Sequence, residues 1–242
     1  MNVSAEDAKQ PRLPQIWTEG GAARKPMLTR ESIIEAAIAL ADRDGLGAVS
    51  IRRIAGELGA RPMSLYRHVP SKDDLLELIN DEVLGEEPVP EQPSDDWRAD
   101  LRLVANLQRQ VAIRHPWCIQ TAIGRPPVGP NAMRINEFAM ATLDRFGLDI
   151  NTINAHVDTL NGYVAGTLAD DLAEADNVRD AEATPEEWQA MLQPWVEQLK
   201  AGGKHPMTVR FMLEENHWDD EKSFAFGVER VLDGIAAALP ER

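Results

Sequence analysis

Between Ser50 and Leu76 the chain reads SIRRIAGELGARPMSLYRHVPSKDDLL, and the spacing of small and apolar residues in this run predicts two short helices meeting at a sharp angle. Ile54, Ala55, Leu58 and Leu65 fall where such a helix-turn-helix needs apolar contacts, and Gly59 falls in the turn. Ala55 is small enough for the second helix to approach the first closely, while Gly59 allows a positive φ that a β-carbon would penalise. Ser50 suits the cap of a helix over Ile51 to Leu58. Pro62 suits the first position of a helix over Pro62 to His68, where its missing N–H costs nothing.

The flanks extend this pattern. Thr29 suits the N-cap of a helix over Arg30 to Asp44, with Ile33, Ile34, Ala37, Ile38 and Ala41 on one apolar face and Gly45 at its end. Ser71 starts a further helix with Asp74 three residues on, an arrangement like a capping box with Asp in place of Glu. That helix is expected to join the head to the rest of the chain.

The whole run from Thr29 to Ile79, with its Leu65-Tyr66-Arg67-His68-Val69 ending and Ser71-Lys72-Asp73-Asp74-Leu75-Leu76 restart, resembles the DNA-binding domain of the tetracycline-repressor (TetR) family of bacterial regulators. The resemblance implies an all-α protein with an N-terminal three-helix helix-turn-helix domain over 28–75. A C-terminal helical ligand-binding and dimerisation domain would follow over 76–242, and residues 1–27 would form a flexible arm. In the rest of the chain, only Gly124-Arg125-Pro126 and Phe226-Gly227-Val228-Glu229 carry a modest likeness to the tetracycline-repressor branch.

By this resemblance Arg52 is the residue suited to a base edge or a nearby phosphate, with Arg53 beside it in the first turn of its helix. Arg61, Pro62, Met63 and Ser64 would lead the recognition helix, and Tyr66, Arg67, His68 and Lys72 resemble the family's backbone contacts. Arginine can bind guanine O6 and N7 bidentately, whereas Pro62 and Met63 offer only apolar contacts, such as to a thymine methyl. Shape and arginine contacts should therefore carry much of the specificity. For His68 a local structural hydrogen bond remains open beside the phosphate role, and for Tyr66 a partly buried one.

A net charge of −15 argues at first against a nucleic-acid partner, but its distribution reverses that. From Arg24 to Lys72 there are nine basic residues against five acidic ones, so the excess of negative charge lies elsewhere, chiefly beyond Lys72. A basic head on an acidic body binds phosphates through the head while the body repels DNA. Residues 1–27 hold Pro11, Pro14, Pro26 and the pair Gly20-Gly21 with no helical period. Arg24 and Lys25 sit where an arm can reach a minor groove; a tail without a role is the other reading.

Beyond Gly85, the run Glu86 to Pro93 carries three prolines and reads as a connector. Helical spacing resumes with Trp97, Leu101, Val104, Leu107 and Val111, breaks at His115-Pro116, and predicts further helices over 131–146, 151–174, 185–201, 206–216 and 220–239. The resemblance implies that helices 151–168 and 220–239 pair with those of a second copy as a four-helix bundle; an internal core of one chain is the other use of those faces. Dimerisation has a physical motive, since one small recognition helix reads few base pairs.

The middle helices would enclose a pocket for a small-molecule effector, with Trp117, Met133, Met140, Tyr163, Trp195, Phe211 and Trp218 as candidate lining, and Met191 and Met212 beside them. Thr121-Ala122-Ile123 stand where tetracycline-binding members carry a chelating histidine, so a largely apolar ligand is expected instead of a magnesium–tetracycline complex.

Other chemistry finds little footing. Asp170, Asp171 and Glu174 resemble an aspartate-rich magnesium site of all-helical prenyl-diphosphate enzymes, but no arginine and lysine cluster accompanies them to hold a diphosphate. His115, His156, His205, His217 and Cys118 are too scattered for a metal pattern, so no metal, cofactor or catalytic residue is assigned. One cysteine, no signal-like segment and no apolar run long enough for a membrane lead to the expectation of a cytoplasmic protein. The resemblance to the TetR family adds the expectation of a non-enzymatic repressor acting as a homodimer on operator DNA.

Overall fold

In the computed structural model, residues 28–122, 128–180, 184–214 and 218–240 are described, and every regular element among them is helical. Helix α1 (Arg30–Asp44) opens on a reciprocal capping box: Thr29 Oγ1 accepts the Ser32 N–H at 3.1 Å and Ser32 Oγ accepts the Thr29 N–H at 3.0 Å. It closes at Gly45, whose φ of 79° only glycine adopts without strain, and a short 3-10 turn over Leu46–Ala48 follows.

Helix α2 (Ile51–Glu57) starts at Ser50, whose Oγ accepts the Arg53 N–H at 3.3 Å. Its end explains the glycine in the turn. The Ala60 N–H reaches back to the Ala55 carbonyl at 2.8 Å and the Gly59 N–H to the Gly56 carbonyl at 3.1 Å, a Schellman closure with Gly59 at φ 59°.

Helix α3 (Pro62–Leu65) is shorter than the spacing predicts: residues 66–68 form turns in which His68 and Val69 both donate their N–H to the Leu65 carbonyl at 2.9 Å. The cause lies just beyond, where Pro70 disfavours a helical Val69 and the chain must leave the helix to bury Val69 fully.

Helix α4 (Lys72–Leu84) crosses the expected boundary between head and body. Ser71 Oγ accepts the Asp74 N–H at 3.0 Å, but the Asp74 carboxylate takes the Ser71 hydroxyl at 2.6 Å instead of the Ser71 N–H. The capping box expected there is thus half formed, because Asp is one methylene too short to reach the backbone.

The body consists of α5 (Trp97–Arg114), α6 (Cys118–Ala122), α7 (Pro130–Asp144), α8 (Ile150–Asp180), α9 (Pro185–Gly202), α10 (Pro206–Leu213) and α11 (Asp220–Ala238). Ile153, Val157, Leu160, Val164 and Leu168 of α8 pack inward, as do Phe224, Val228, Leu232 and Ile235 of α11. These stripes are core of one chain, each large side chain contributing about 1.5–3 kcal/mol on burial. The two helices also pack on each other. Tyr163 of α8 lies against Gly227 of α11, where a β-carbon would sit 2.0 Å from its hydroxyl oxygen. Helices α9 and α10 bury Val196 and Val209 and leave Met191, Trp195, Phe211 and Met212 exposed.

Candidate DNA interface and effector cavity

The head folds so that its apolar residues face inward and its cations outward. Ile54, Ala55, Leu65 and Val69 are at most 1% exposed. Arg52, Arg53, Arg61, Pro62, Met63, Tyr66, Arg67, His68 and Lys72 are exposed, with Ser64 half-buried among them. They come from α2, the N-cap and body of α3, the turn after α3 and the start of α4. Met63 is 74% exposed at the tip of α3, an apolar side chain held in water where burial against a thymine methyl would reward it.

The two neighbouring arginines of α2 differ. Arg53 Nη2 lies 2.5 Å from Asp44 Oδ2, and Arg43 binds both Asp44 and Glu57, the latter at 2.8 Å. Hydrogen bonds from Arg43 and then Arg53 hold the Asp44 carboxyl below its usual range. Among the described residues Arg52 forms no ion pair, whereas Arg53 does. Arg24 and Lys25 lie outside the described residues.

A cavity of about 230 Å³ opens in the body between α4, α5, α6, α7 and α8. Its apolar wall includes Leu84, Val104, Val111, Ile135, Val157, Val164 and Leu168. Polar groups enter at Glu77, Asn80, Gln108, Thr121, Asn136 and Asn161. Gln108 Nε2 donates to Asn161 Oδ1 at 2.8 Å and Thr121 Oγ1 to Asn80 Oδ1 at 2.8 Å, which leaves the Gln108 carbonyl and the Asn161 amide nitrogen for a ligand. Cys118 lines the cavity and is buried; burial pushes its thiol up to about 12, so it acts as a small apolar surface.

None of the bulky residues expected to line a pocket is among the residues that line this cavity. The Trp117 indole N–H donates to Asp42 Oδ1 at 2.7 Å, facing the head. Tyr163 donates its hydroxyl to the Phe224 carbonyl at 3.1 Å, and Met140 packs against the core with the Asn136 amide 3.3 Å from its sulfur. Met133, Trp195, Phe211 and Trp218 are exposed, as are Met191 and Met212. The physical reason is size: a helix leaves a cavity where its side chains stop short, and large side chains fill space or leave it. A signal was present in the apolar stripes of α5, α7 and α8, where Gln108, Asn136 and Asn161 interrupt inward-facing positions at helical spacing.

Gly124, Arg125 and Pro126 lie outside the described residues. Among the described residues no group of three His, Cys, Asp and Glu is placed to hold a metal ion. Asp170 is exposed on α8, and the prenyl-diphosphate alternative built on Asp170, Asp171 and Glu174 finds no support; the Glu174 side chain lies outside the described residues.

Comparison with known proteins bears on the whole chain. Residues 33–79 match the model of the bacterial regulatory proteins, tetR family, and residues 89–239 match that of the tetracyclin repressor-like C-terminal domain. The chain is 34% identical over 235 residues to the HTH-type transcriptional repressor DrrR1 of Streptomyces coeruleorubidus, covering 95% of this chain and 86% of that protein. It is 37% identical over 156 residues to an HTH-type transcriptional regulator of Saccharopolyspora erythraea, 64% of this chain and 66% of that one. Among solved structures, ActR of Streptomyces coelicolor in complex with actinorhodin superposes with a TM-score of 0.73 at 29% identity, covering 88% of this chain and 99% of that one.

Proposed function

The chain belongs to the TetR family and is a helix-turn-helix, ligand-responsive transcriptional regulator; from that premise we propose that it represses as a homodimer and leaves its operator when a small, largely apolar molecule fills the cavity. The observation that carries this reading is the placement of α4. Lys72 stands exposed at its head end, while Asn80 and Leu84 form part of the cavity wall. One rigid helix thus spans the two sites, with Lys72 and Asn80 separated by about 12 Å along its axis. A ligand that fits the cavity better in one tilt of α4 shifts the spacing of two heads, by no more than its differential affinity for the two states.

The cavity describes its occupant: a neutral ring system with an apolar body and a few hydroxyl or carbonyl groups to meet Gln108, Asn136 and Asn161. The complex of ActR with actinorhodin supports a small-molecule occupant. On the DNA side, Arg52 is assigned to a base edge or phosphate, Arg61, Pro62, Met63 and Ser64 to the major groove, and Tyr66, Arg67, His68 and Lys72 to the backbone. Arg53 is assigned a weaker share because Asp44 compensates its charge. Arg24 and Lys25 are proposed to reach a minor groove.

Members of the family act as dimers. The surface of α8 and α11 left over from the core is proposed to hold the second copy: Ala155, Thr159, Gly162 and Gly166 on α8, and Phe226, Arg230 and Gly234 on α11, stand outward at helical spacing. Among the described residues no helix is long and apolar enough to cross a membrane, and we place the protein in the cytoplasm with its DNA.

The test is fluorescence anisotropy at one stated, near-physiological salt concentration, with the DNA upstream of the gene and unrelated DNA of equal length. Tight binding confined to the upstream duplex, reversed by actinorhodin or by a neutral ring compound, is expected. Equal weak binding to both duplexes, under every compound of that class, removes the operator reading.

A further inference from the structure

Head and body meet at a buried histidine that the reading above does not use. His115 ends α5 and is 7% exposed. Its Nδ1 lies 2.8 Å from Asp42 Oδ1, on α1 of the head, and its Nε2 lies 3.1 and 3.2 Å from the two oxygens of Glu86, on the connector. A neutral imidazole carries one N–H, so one of its nitrogens would turn a lone pair toward a carboxylate; only the imidazolium donates to both. We propose that His115 is a positioning residue for operator binding: a cation clamped between Asp42 and Glu86, it fixes the DNA-binding head on the wall of the effector cavity.

The surroundings are built for such a clamp. Trp117 donates its indole N–H to the same Asp42 oxygen, at 2.7 Å, and its ring lies 5.9 Å from that of His115, closing the site. Arg114 bridges Glu86 at 3.4 Å and Glu87 at 2.6 Å, which holds the connector in place. The His115 carbonyl accepts the Cys118 N–H at 2.9 Å, and Cys118 is the first residue of α6 and part of the cavity wall. A displacement of α6 by a bound molecule therefore pulls on the clamp. A second tie from the same short helix, Thr121 to Asn80, reaches α4. The head is thus tied to the body through α1 by the clamp and through α4 by Asn80, so its orientation is set in two directions.

The inference rests on the operator reading, and the experiment separates the two. A duplex is selected by the wild-type chain from a randomised library, and binding is measured to that full site and to the same duplex reduced to one half-site. His115→Gln and Asp42→Asn are expected to weaken the full site by about tenfold, because two loosely held heads must be ordered together, and to leave the half-site unchanged. His115→Lys restores a cation with several donors and is expected to recover most of the loss. Circular dichroism reports the helix content of each variant. Should His115→Gln fail to fold, Asp42→Asn carries the test, since it keeps the oxygen that accepts from Trp117.

Full-site affinity unchanged in Asp42→Asn, equal losses at full site and half-site, or no recovery with lysine each overturn the proposal. A wild-type chain that selects no duplex overturns the operator reading and the clamp with it.

Discussion

Asp81 of α4 caps α7 at Ala132: its Oδ1 accepts the Ala132 N–H at 3.0 Å and the neighbouring Asn131 N–H at 3.1 Å. The helix that carries the head thus closes the first turn of a body helix, where two otherwise orphaned donors and the positive end of the helix dipole await a carboxylate. The approach is close. A β-carbon on Gly129 would sit 2.1 Å from the Asp81 carboxyl carbon, and one on Gly85 would sit 2.6 Å from the Asn131 amide nitrogen.

Replacing Asp81 by Ala is expected to cost about 1–2 kcal/mol, the usual loss for a removed N-cap. For a chain of this length that lowers the midpoint of thermal unfolding by roughly 2–8 °C. Gly129→Ala is expected to cost at least as much, since its neighbour is a carboxylate fixed by the same hydrogen bonds. Calorimetry on both variants checks this; an unchanged midpoint in Asp81→Ala shows that water replaces the cap.

Arg52 and Arg53 separate in a second measurement. Arg52→Ala is expected to weaken operator binding by about 1–3 kcal/mol if the residue meets a base, and to reduce the salt slope by about one if it meets a phosphate. Arg53→Ala is expected to do less, because Asp44 already compensates its charge at 2.5 Å. Anisotropy titrations across a salt series read both quantities. Equal effects of the two substitutions would place Arg53 at the duplex with its pairing to Asp44 broken.

Capping chemistry made much of the fold readable in advance. Thr29, Ser50 and Ser71 start their helices where the spacing puts them, and Gly45 and Gly59 end theirs. The five-residue α6 was not readable, because one turn of helix beside Pro116 shows no period. Nor was the cavity. A sequence shows which residues can fill space but not where space is left, so Trp195 and Phe211 read as lining although they are exposed. The inward stripes of α8 and α11 were legible as apolar. Which of two uses they had, core or second copy, depended on the side of each helix that the rest of the chain covers.

Cys118 supplies a prediction with a sign. Its thiol is pushed up from 9.0 to about 12 by burial, so the folded chain holds this proton more tightly than the unfolded chain does. The associated stability is fully present below about pH 9 and is lost as pH rises toward 12. Urea titrations of wild type and Cys118→Ala are expected to diverge above pH 9, with the wild type falling faster. At pH 8 iodoacetamide should label the unfolded chain and spare the folded one; equal labelling would mean that the cavity admits both solvent and reagent to the thiol.

The amide pair in the cavity gives the sharpest separation of fold from function. One hydrogen bond joins Gln108 to Asn161 at 2.8 Å, so removing one residue leaves its partner with a further unmet group against an apolar wall, at about 1–3 kcal/mol. Removing both, as Gln108→Leu with Asn161→Leu, leaves nothing unpaired and is expected to be neutral or stabilising in urea. The double variant should hold the operator as the wild type does, since neither residue lies on the head. Its response should nevertheless fail: a neutral ring compound that releases the wild type meets a wall without the free carbonyl of Gln108 or the free amide nitrogen of Asn161, and should need at least tenfold higher concentration. Undiminished release from the double variant would mean that the ligand binds by its apolar body alone, or that the remaining amide, Asn136, orients it.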